Sequence, residues 1–291
     1  MTDRSAASGD RRATWASQWW RHAILIVVTA AALYPVLWVV KMALTPGDSF
    51  DLSANPFPTQ VSFGNFADLV DSTDMQGRKL FWYWVRNSVI VSAATTVVGI
   101  ALSCSAAYAF SRFSFPGKDM GMGALLVTQM FPGVVMAIPL YILMDATGLL
   151  NSLTGLTLCY ATTAIPFCIW MLKGYFDTIP KELEEAAIMD GASRWTIFTR
   201  IVLPLSRPAI AVTALFSFMT AWNEFILAAT FMADETSYTL PVALQRYVGD
   251  YSTQWGAFAA GAILVSIPVM ALFFALQKNL VEGLTAGGVK G

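Results

Sequence analysis

Two stretches of this chain, residues 87–111 and 120–144, each run for 25 residues without an Asp, Glu, Lys or Arg. A helix needs roughly 20 apolar residues to cross about 30 Å of hydrocarbon. A soluble core helix has no use for an uncharged run of that length, so the chain reads as an integral membrane protein. Its composition agrees: 56% of the residues are hydrophobic and 13% charged, where a soluble domain carries about a quarter charged.

Six transmembrane helices are predicted, at residues 23–44, 87–110, 120–144, 151–172, 208–232 and 257–277, in an all-α chain. Each run is continuous rather than alternating, which favours helices over a barrel; lipid leaves the backbone no other way to satisfy itself. Pro35, Pro132, Pro139, Pro166, Pro208 and Pro268 lie inside or at the edge of five spans. Such prolines free a carbonyl and kink a helix. With the amino terminus inside, 13 of the 18 Lys and Arg fall on the inner side, so both termini are expected in the cytoplasm.

On this reading residues 1–22 form an inner tail, 23–278 a single membrane domain and 279–291 a second inner tail. Residues 45–83 and 233–254 are the long outside loops, and 177–204 is the core of the longest inside segment. Cys104, Cys159 and Cys168 lie within spans, as small packing residues do. His22 is the sole histidine and has no Cys/His cluster around it, so no metal site is expected. A net charge of −1 without a basic patch predicts no nucleic-acid partner.

Catalytic motifs are not found. Gly117-Lys118 is followed by Asp119 and lacks the upstream glycine of a phosphate loop, so no ATP site is expected in this chain. Neither a zinc-protease helix motif nor a serine-nucleophile elbow occurs. Whatever work the protein does is expected to be driven from elsewhere.

Residues 177–204 read as two short helices with a sharp joint. Pro180 suits a first helical position, and Glu182, Glu184 and Glu185 favour a helix N-terminus. Gly191 stands where a C-cap glycine belongs. Ser193 can cap a second helix through Trp195, Phe198 and Ile201, closed by Pro204. Leu183, Ala186, Ala187 and Met189 give the first helix apolar side chains, and the adjacent alanines let another backbone come close. The alternative is a loop that lies along the lipid headgroups.

The spacing Glu185-Ala186-Ala187, Gly191, Ile201, Leu203-Pro204 resembles in full the E-A-A-x3-G-x9-I-x-L-P loop of binding-protein-dependent ABC importer permeases. Gln129-Met130-Phe131-Pro132, residues 174–179, Ser237-Tyr238-Thr239-Leu240, Gln254-Trp255-Gly256 and residues 284–291 resemble the smaller permeases of maltose/maltodextrin-type transporters. Trp222-Asn223-Glu224-Phe225 resembles a pattern of sugar permeases more generally. The resemblance implies a type I ABC importer permease in a bacterial inner membrane, paired with a second permease over two copies of a cytoplasmic ATPase that hold the ATP and Mg. A periplasmic or lipid-anchored sugar-binding protein would deliver substrate. Gly249, Asp250, Tyr251, Ser252 and Thr253 would form a loop that reaches into that protein, and the C-terminal tail would lie between the ATPases.

Glu224 is the only charge in the fifth predicted span. Sixteen residues beyond Pro208, at about 1.5 Å each, put it roughly 24 Å across the bilayer. An intramembrane carboxylate normally faces a cavity or a polar partner. With Trp222 and Asn223 it is a candidate for the transport pathway or a gate; equally, it is a candidate tie between helices. An ion-gradient-driven secondary transporter or channel is the rival class, and it would normally carry several such groups at mid-depth.

Overall fold

A computed structural model describes residues 19–47, 53–249 and 253–288, with side chains to residue 278. The described elements are α1 (Trp19–Leu44), α2 (Gly64–Val70), α3 (Leu80–Arg112), α4 (Lys118–Gln129), α5 (Gly133–Ala146), α6 (Leu153–Phe176), α7 (Glu182–Met189), α8 (Arg194–Leu205), α9 (Arg207–Trp222), α10 (Ile226–Phe231), α11 (Leu240–Gln245) and α12 (Trp255–Gly288). Among the described residues four helices are long and apolar enough to cross a membrane, or up to six if each of two bent pairs counts as one span.

The expected spans at 23–44, 87–110, 151–172 and 257–277 correspond to α1, α3, α6 and α12, each longer than its hydropathy run. Helix α3 has 33 residues, about 50 Å of helix. It starts at Leu80, and Arg86 in its first turns lies 5.7 Å over the Tyr83 ring. A charge that rests on an aromatic face does not end a helix, although it ends an uncharged run.

The other two spans are broken. The run at 120–144 is two helices, α4 and α5, bent by 100°. Pro132 stands at the break with φ −60° and ψ 128°; it has no N–H to give the ladder, and α5 restarts at Gly133. The run at 208–232 ends as a helix at Trp222 and resumes only at Ile226. Helix α9 has 16 residues, about 24 Å, short of the hydrocarbon thickness. At its start it meets α8 at 78°.

The described residues fall into two compact units. One holds the chain to Leu69 together with Tyr247–Leu264. Within it Ala43, Ala259 and Ala260 are buried, with Met42, Phe66 and Ile263 around them. The Asn65 amide donates to the carbonyls of Ala43 and Thr45 at 3.0 and 2.9 Å, closing the end of α1. A Cβ at Gly256 would sit 2.4 Å from that amide nitrogen, so only glycine fits there. Buried Lys41 donates to Ser53 Oγ and the Asn55 carbonyl, both at 2.6 Å.

The other unit holds Val70–Arg246 and the rest of α12. Helices α3 and α6 lie along each other and α9 packs on both. Small polar residues line this seam: Ser92, Thr95 and Ser217 are buried, and a Cβ at Gly99 would lie 3.4 Å from Ser217 Oγ. Small side chains let membrane helices approach closely where lipid removes the usual hydrophobic drive. Cys104, Cys159 and Cys168 are free and buried in this unit.

Candidate functional site

The segment 177–204 forms a helix, a tight turn and a second helix. Helix α7 opens after Lys181 and carries Glu182, Glu184 and Glu185 in its first turn, where negative charge suits the exposed N–H groups. Pro180 is not its first residue; it precedes the helix, and its carbonyl accepts from Leu183 at 3.4 Å. At the other end the Gly191 N–H reaches the Ile188 carbonyl and the Ala192 N–H reaches that of Ala187, both at 2.9 Å. This pair of bonds is a Schellman close. It puts Gly191 at φ +81°, one residue past Asp190, the C-cap. Ser193 caps α8 through the Thr196 N–H. Pro204 does not end that helix. A π turn over Phe198–Val202 precedes it, and the chain stays helical to Leu205, because the wider register absorbs the missing proline donor.

Apolar packing holds α8 from below. Ile197, Phe198 and Val202 are buried with Leu172 and Phe176 of α6 and Tyr108 of α3, and Ala187, Ile201 and Leu203 pack on this cluster. The outer face is the reverse: Met189 is 86% and Trp195 70% exposed, and Glu185, Ala186 and Gly191 are also exposed. The motif residues therefore divide, with Glu185, Ala186 and Gly191 outward and Ala187, Ile201, Leu203 and Pro204 partly covered.

Beneath α7 lies a charged cluster whose geometry the sequence does not announce. Glu184 and Arg112 are both 4% exposed in their side chains and pair at 2.5 Å through Arg112 Nε. Tyr108 donates to the other Glu184 oxygen at 3.1 Å. The remaining Arg112 nitrogens donate to the Ile179 carbonyl and Ser111 Oγ, each at 3.0 Å. Ser111 donates to Asp177 at 2.6 Å, and Lys173 does so at 2.7 Å. Burial opposes ionisation of Asp177, but the bonds from Lys173 and Ser111 outweigh it and hold its carboxyl below the usual range. Removing one partner of a buried pair costs about 3–5 kcal/mol, since the other charge is left desolvated.

At the far ends of α3 and α6 stands the break in span five. Glu224 accepts from Tyr160 OH at 2.5 Å, and from the N–H groups of Leu227 and Ala228 at 2.8 and 3.2 Å. Its carboxylate thus satisfies the opening turn of α10 and ties it to α6. Trp222 is 1% exposed, stacks on Phe218 at 5.4 Å and donates to the Val265 carbonyl at 3.1 Å. Asn223 is exposed and bonds back to the Met219 carbonyl. Nearby, Trp84 and Asn87 of α3 hold the carbonyls of Glu235, Thr236 and Tyr238 at 2.8–3.0 Å. A cavity of about 510 Å3 is lined by Gln129, Phe131 and Gly133 at the bend of span three, by Thr163 and Pro166 of α6, and by Leu227 of α10. The bend of span three and the short helix beyond the break in span five therefore border one space.

Of the loop at 249–253, Asp250, Tyr251 and Ser252 lie outside the described residues. Its flanks close on each other: Val248 and Thr253 form an antiparallel bridge, Thr253 Oγ1 donates to the Gly249 carbonyl at 3.3 Å, and the Gln254 N–H reaches the Tyr247 carbonyl at 2.8 Å.

Residues 99–285 match the family described as "Binding-protein-dependent transport system inner membrane component". The chain is 38% identical to the maltose/maltodextrin transport system permease protein MalG of Escherichia coli K12, over 93% of this chain and 95% of that protein. It is 38% identical to the galactooligosaccharides transport system permease protein GanQ of Bacillus subtilis, over 93% and 94%. To the trehalose transport system permease protein SugB of Mycobacterium tuberculosis it is 36% identical, over 97% and 100%. Among solved structures, a bacterial ABC transporter involved in import of the acidic polysaccharide alginate superposes with a TM-score of 0.75 at 23% identity, covering 96% of this chain and 99% of that one.

Proposed function

Because the chain belongs to the binding-protein-dependent inner-membrane transport components, the permeases of ABC importers, we propose that it is the smaller permease of a sugar importer driven by a separate ATPase. One observation carries this reading: an apolar surface (Ala186, Met189, Trp195) stands exposed on a helix-turn-helix outside the spans, packed from below. Exposed apolar surface of this kind, set on a fixed scaffold, marks a docking site. The occupant proposed here is the cytoplasmic ATPase, two copies of which would serve this chain and a second permease. That assigns the α7 side and both termini to the cytoplasm of a bacterial inner membrane. The loop at 249–253 then faces a sugar-binding protein outside.

The cargo is read as an oligosaccharide of the maltodextrin or related type. Its passage is assigned to the cavity where the two broken spans meet. About 510 Å3 falls within the size range of small-ligand sites. Thr128, Gln129, Thr162 and Thr163 offer hydroxyls and an amide to sugar hydroxyls, and Phe131 offers an apolar face. Alternating access needs two states that ATP biases through contacts differing between them. ATP binding belongs to the ATPase, since this chain carries no phosphate loop.

The test is reconstitution. Vesicles that hold this chain, the second permease, the ATPase and the sugar-binding protein should take up labelled maltodextrin only with ATP inside. Calorimetry on the isolated chain should detect no nucleotide binding. Micromolar ATP affinity of the chain alone, or uptake that follows an ion gradient without the ATPase, would overturn the reading.

A further inference from the structure

We propose that Arg112 and Glu184 are positioning residues: a buried ionic latch that makes α7 and the adjoining ends of α3 and α6 move as one body. The proposal rests on the reading of α7 as the coupling helix and says how that helix is attached. An eight-residue helix is marginal alone in water. Most of its surface faces outward, and Glu184 is its one buried residue. Beside the Ala187 packing and the Gly191 turn, what fixes its direction is the bond made by that carboxylate.

The guanidinium fork distributes the attachment. Nε holds Glu184 on α7, one terminal nitrogen holds the Ile179 carbonyl in the connection from α6, and the other holds Ser111. Ser111 passes the link to Asp177 at the end of α6, which Lys173 holds in turn. An apolar contact of similar volume would often be at least as stable as a buried ion pair, but it could slide. A desolvated pair resists partial opening, because each group loses its bonded counter-charge as it separates while still out of water. Displacement of α7 is thereby carried to α3 and α6. At their other ends Trp84, Asn87 and Tyr160 hold the 235–238 segment and Glu224. Lysine would keep the charge of Arg112 but not the fork.

The experiment uses the whole importer in vesicles, with R112K, E184Q and the exchange R112E/E184R. It records sugar taken up per ATP hydrolysed, ATPase co-purification, and the spin-label distance between Ile188→Cys on α7 and Leu102→Cys on α3. Both labelled positions are exposed, and the native cysteines are buried. The latch predicts that R112K and E184Q still co-purify the ATPase, that sugar per ATP falls about fivefold or more, the low end of typical coupling factors, and that the distance distribution broadens. The exchange variant restores the charge pair but not the bonds to Ile179 and Ser111, so it should narrow the distribution part of the way. An unchanged ratio with a narrow distribution in R112K and E184Q would overturn the latch. If one single variant fails to accumulate, the exchange variant decides against the other: a narrower distance distribution than the surviving single variant supports the latch, and one no narrower refutes it. Loss of ATPase binding by the wild-type chain would instead strike the coupling reading, a separate failure.

Discussion

Two glutamates, one at each end of the α3–α6 pair, accept a hydrogen bond from a tyrosine on that pair, yet they are satisfied by opposite means. Glu184 meets a cation, Arg112, with both side chains almost wholly buried. Glu224 meets the backbone of a short helix, through two N–H groups and Tyr160, at the point where span five breaks. An ion pair with a divided guanidinium joins three chain segments and resists partial opening. A carboxylate on a helix start depends on that start staying formed, so it belongs to an element that can rearrange. The first geometry suits a joint and the second a hinge.

The largest expected effect falls on the outer face of the joint. Gly191 sits at φ +81° with open space around it, so Gly191→Val is limited by backbone strain of about 1–3 kcal/mol rather than by a clash. Ala186→Asp puts a charge on the proposed contact. Both variants should insert normally, lose ATPase co-purification and lose most sugar uptake; Gly191→Asn should be much milder, because asparagine tolerates that conformation. Normal docking in both damaging variants would break the comparison at its better-anchored end.

Next comes the hinge. Glu224→Ala removes acceptors from Tyr160 and two N–H groups, a loss of about 1–3 kcal/mol for the groups left unsatisfied. Glu224→Gln keeps one acceptor oxygen and should cost less. Accumulation of the heterodimer and uptake, measured together, should rank wild type, Gln, then Ala. Equal uptake in all three would remove Glu224 from any moving part.

The two tyrosines sharpen the contrast further. Tyr160→Phe takes away a donor to a carboxylate with no cation bonded to it among the described residues, so about 1.5–3 kcal/mol is expected. At Tyr108→Phe the carboxylate keeps Arg112, and the loss should be nearer 0.5–1.5 kcal/mol. Thermal unfolding of the detergent-solubilised subunit would show the order, and a larger loss at Tyr108 would reverse the assignment of joint and hinge.

The smallest effect concerns pH. The Asp177 carboxyl is held below its ordinary range, so its stabilisation is complete above the unfolded-state value and is lost as pH falls through the folded one. Asp177→Asn should therefore lower stability slightly near neutrality, flatten the acid limb of the curve and converge on the wild type at low pH. Salt should weaken the effect further, because the Lys173 contact is partly solvated.

Charge-free runs located α1, α3, α6 and α12, because hydropathy reports what lipid demands of a straight span. They could not locate the breaks: Met130–Pro132 is as apolar as its surroundings, and the polar pair Asn223-Glu224 reads as a pathway or a tie between helices rather than as a helix end. Pro132 was a visible sign of the first; Glu224 was visible, but its role as the acceptor for α10 depends on a fold-level neighbour, Tyr160. The turn at Gly191 and the Ser193 cap were legible because both are local backbone chemistry. Glu184 was not: three acids share the first turn of α7, and only tertiary packing chooses which one is buried. A faint signal existed in Tyr108 and Arg112, one helical turn apart at the end of a charge-free run. The packing of Trp222 on Phe218 was hidden for the same reason.

The central claim, that the outer face of α7 carries the ATPase, is tested most directly by thiol protection at Ala186→Cys. The native cysteines are buried, so a water-soluble maleimide should report on the new thiol alone. The account predicts rapid labelling of the subunit by itself and strong protection once the ATPase is bound, with labelling of Met75→Cys, exposed between α2 and α3, unaffected. Equal labelling of Ala186→Cys with and without bound ATPase would contradict it.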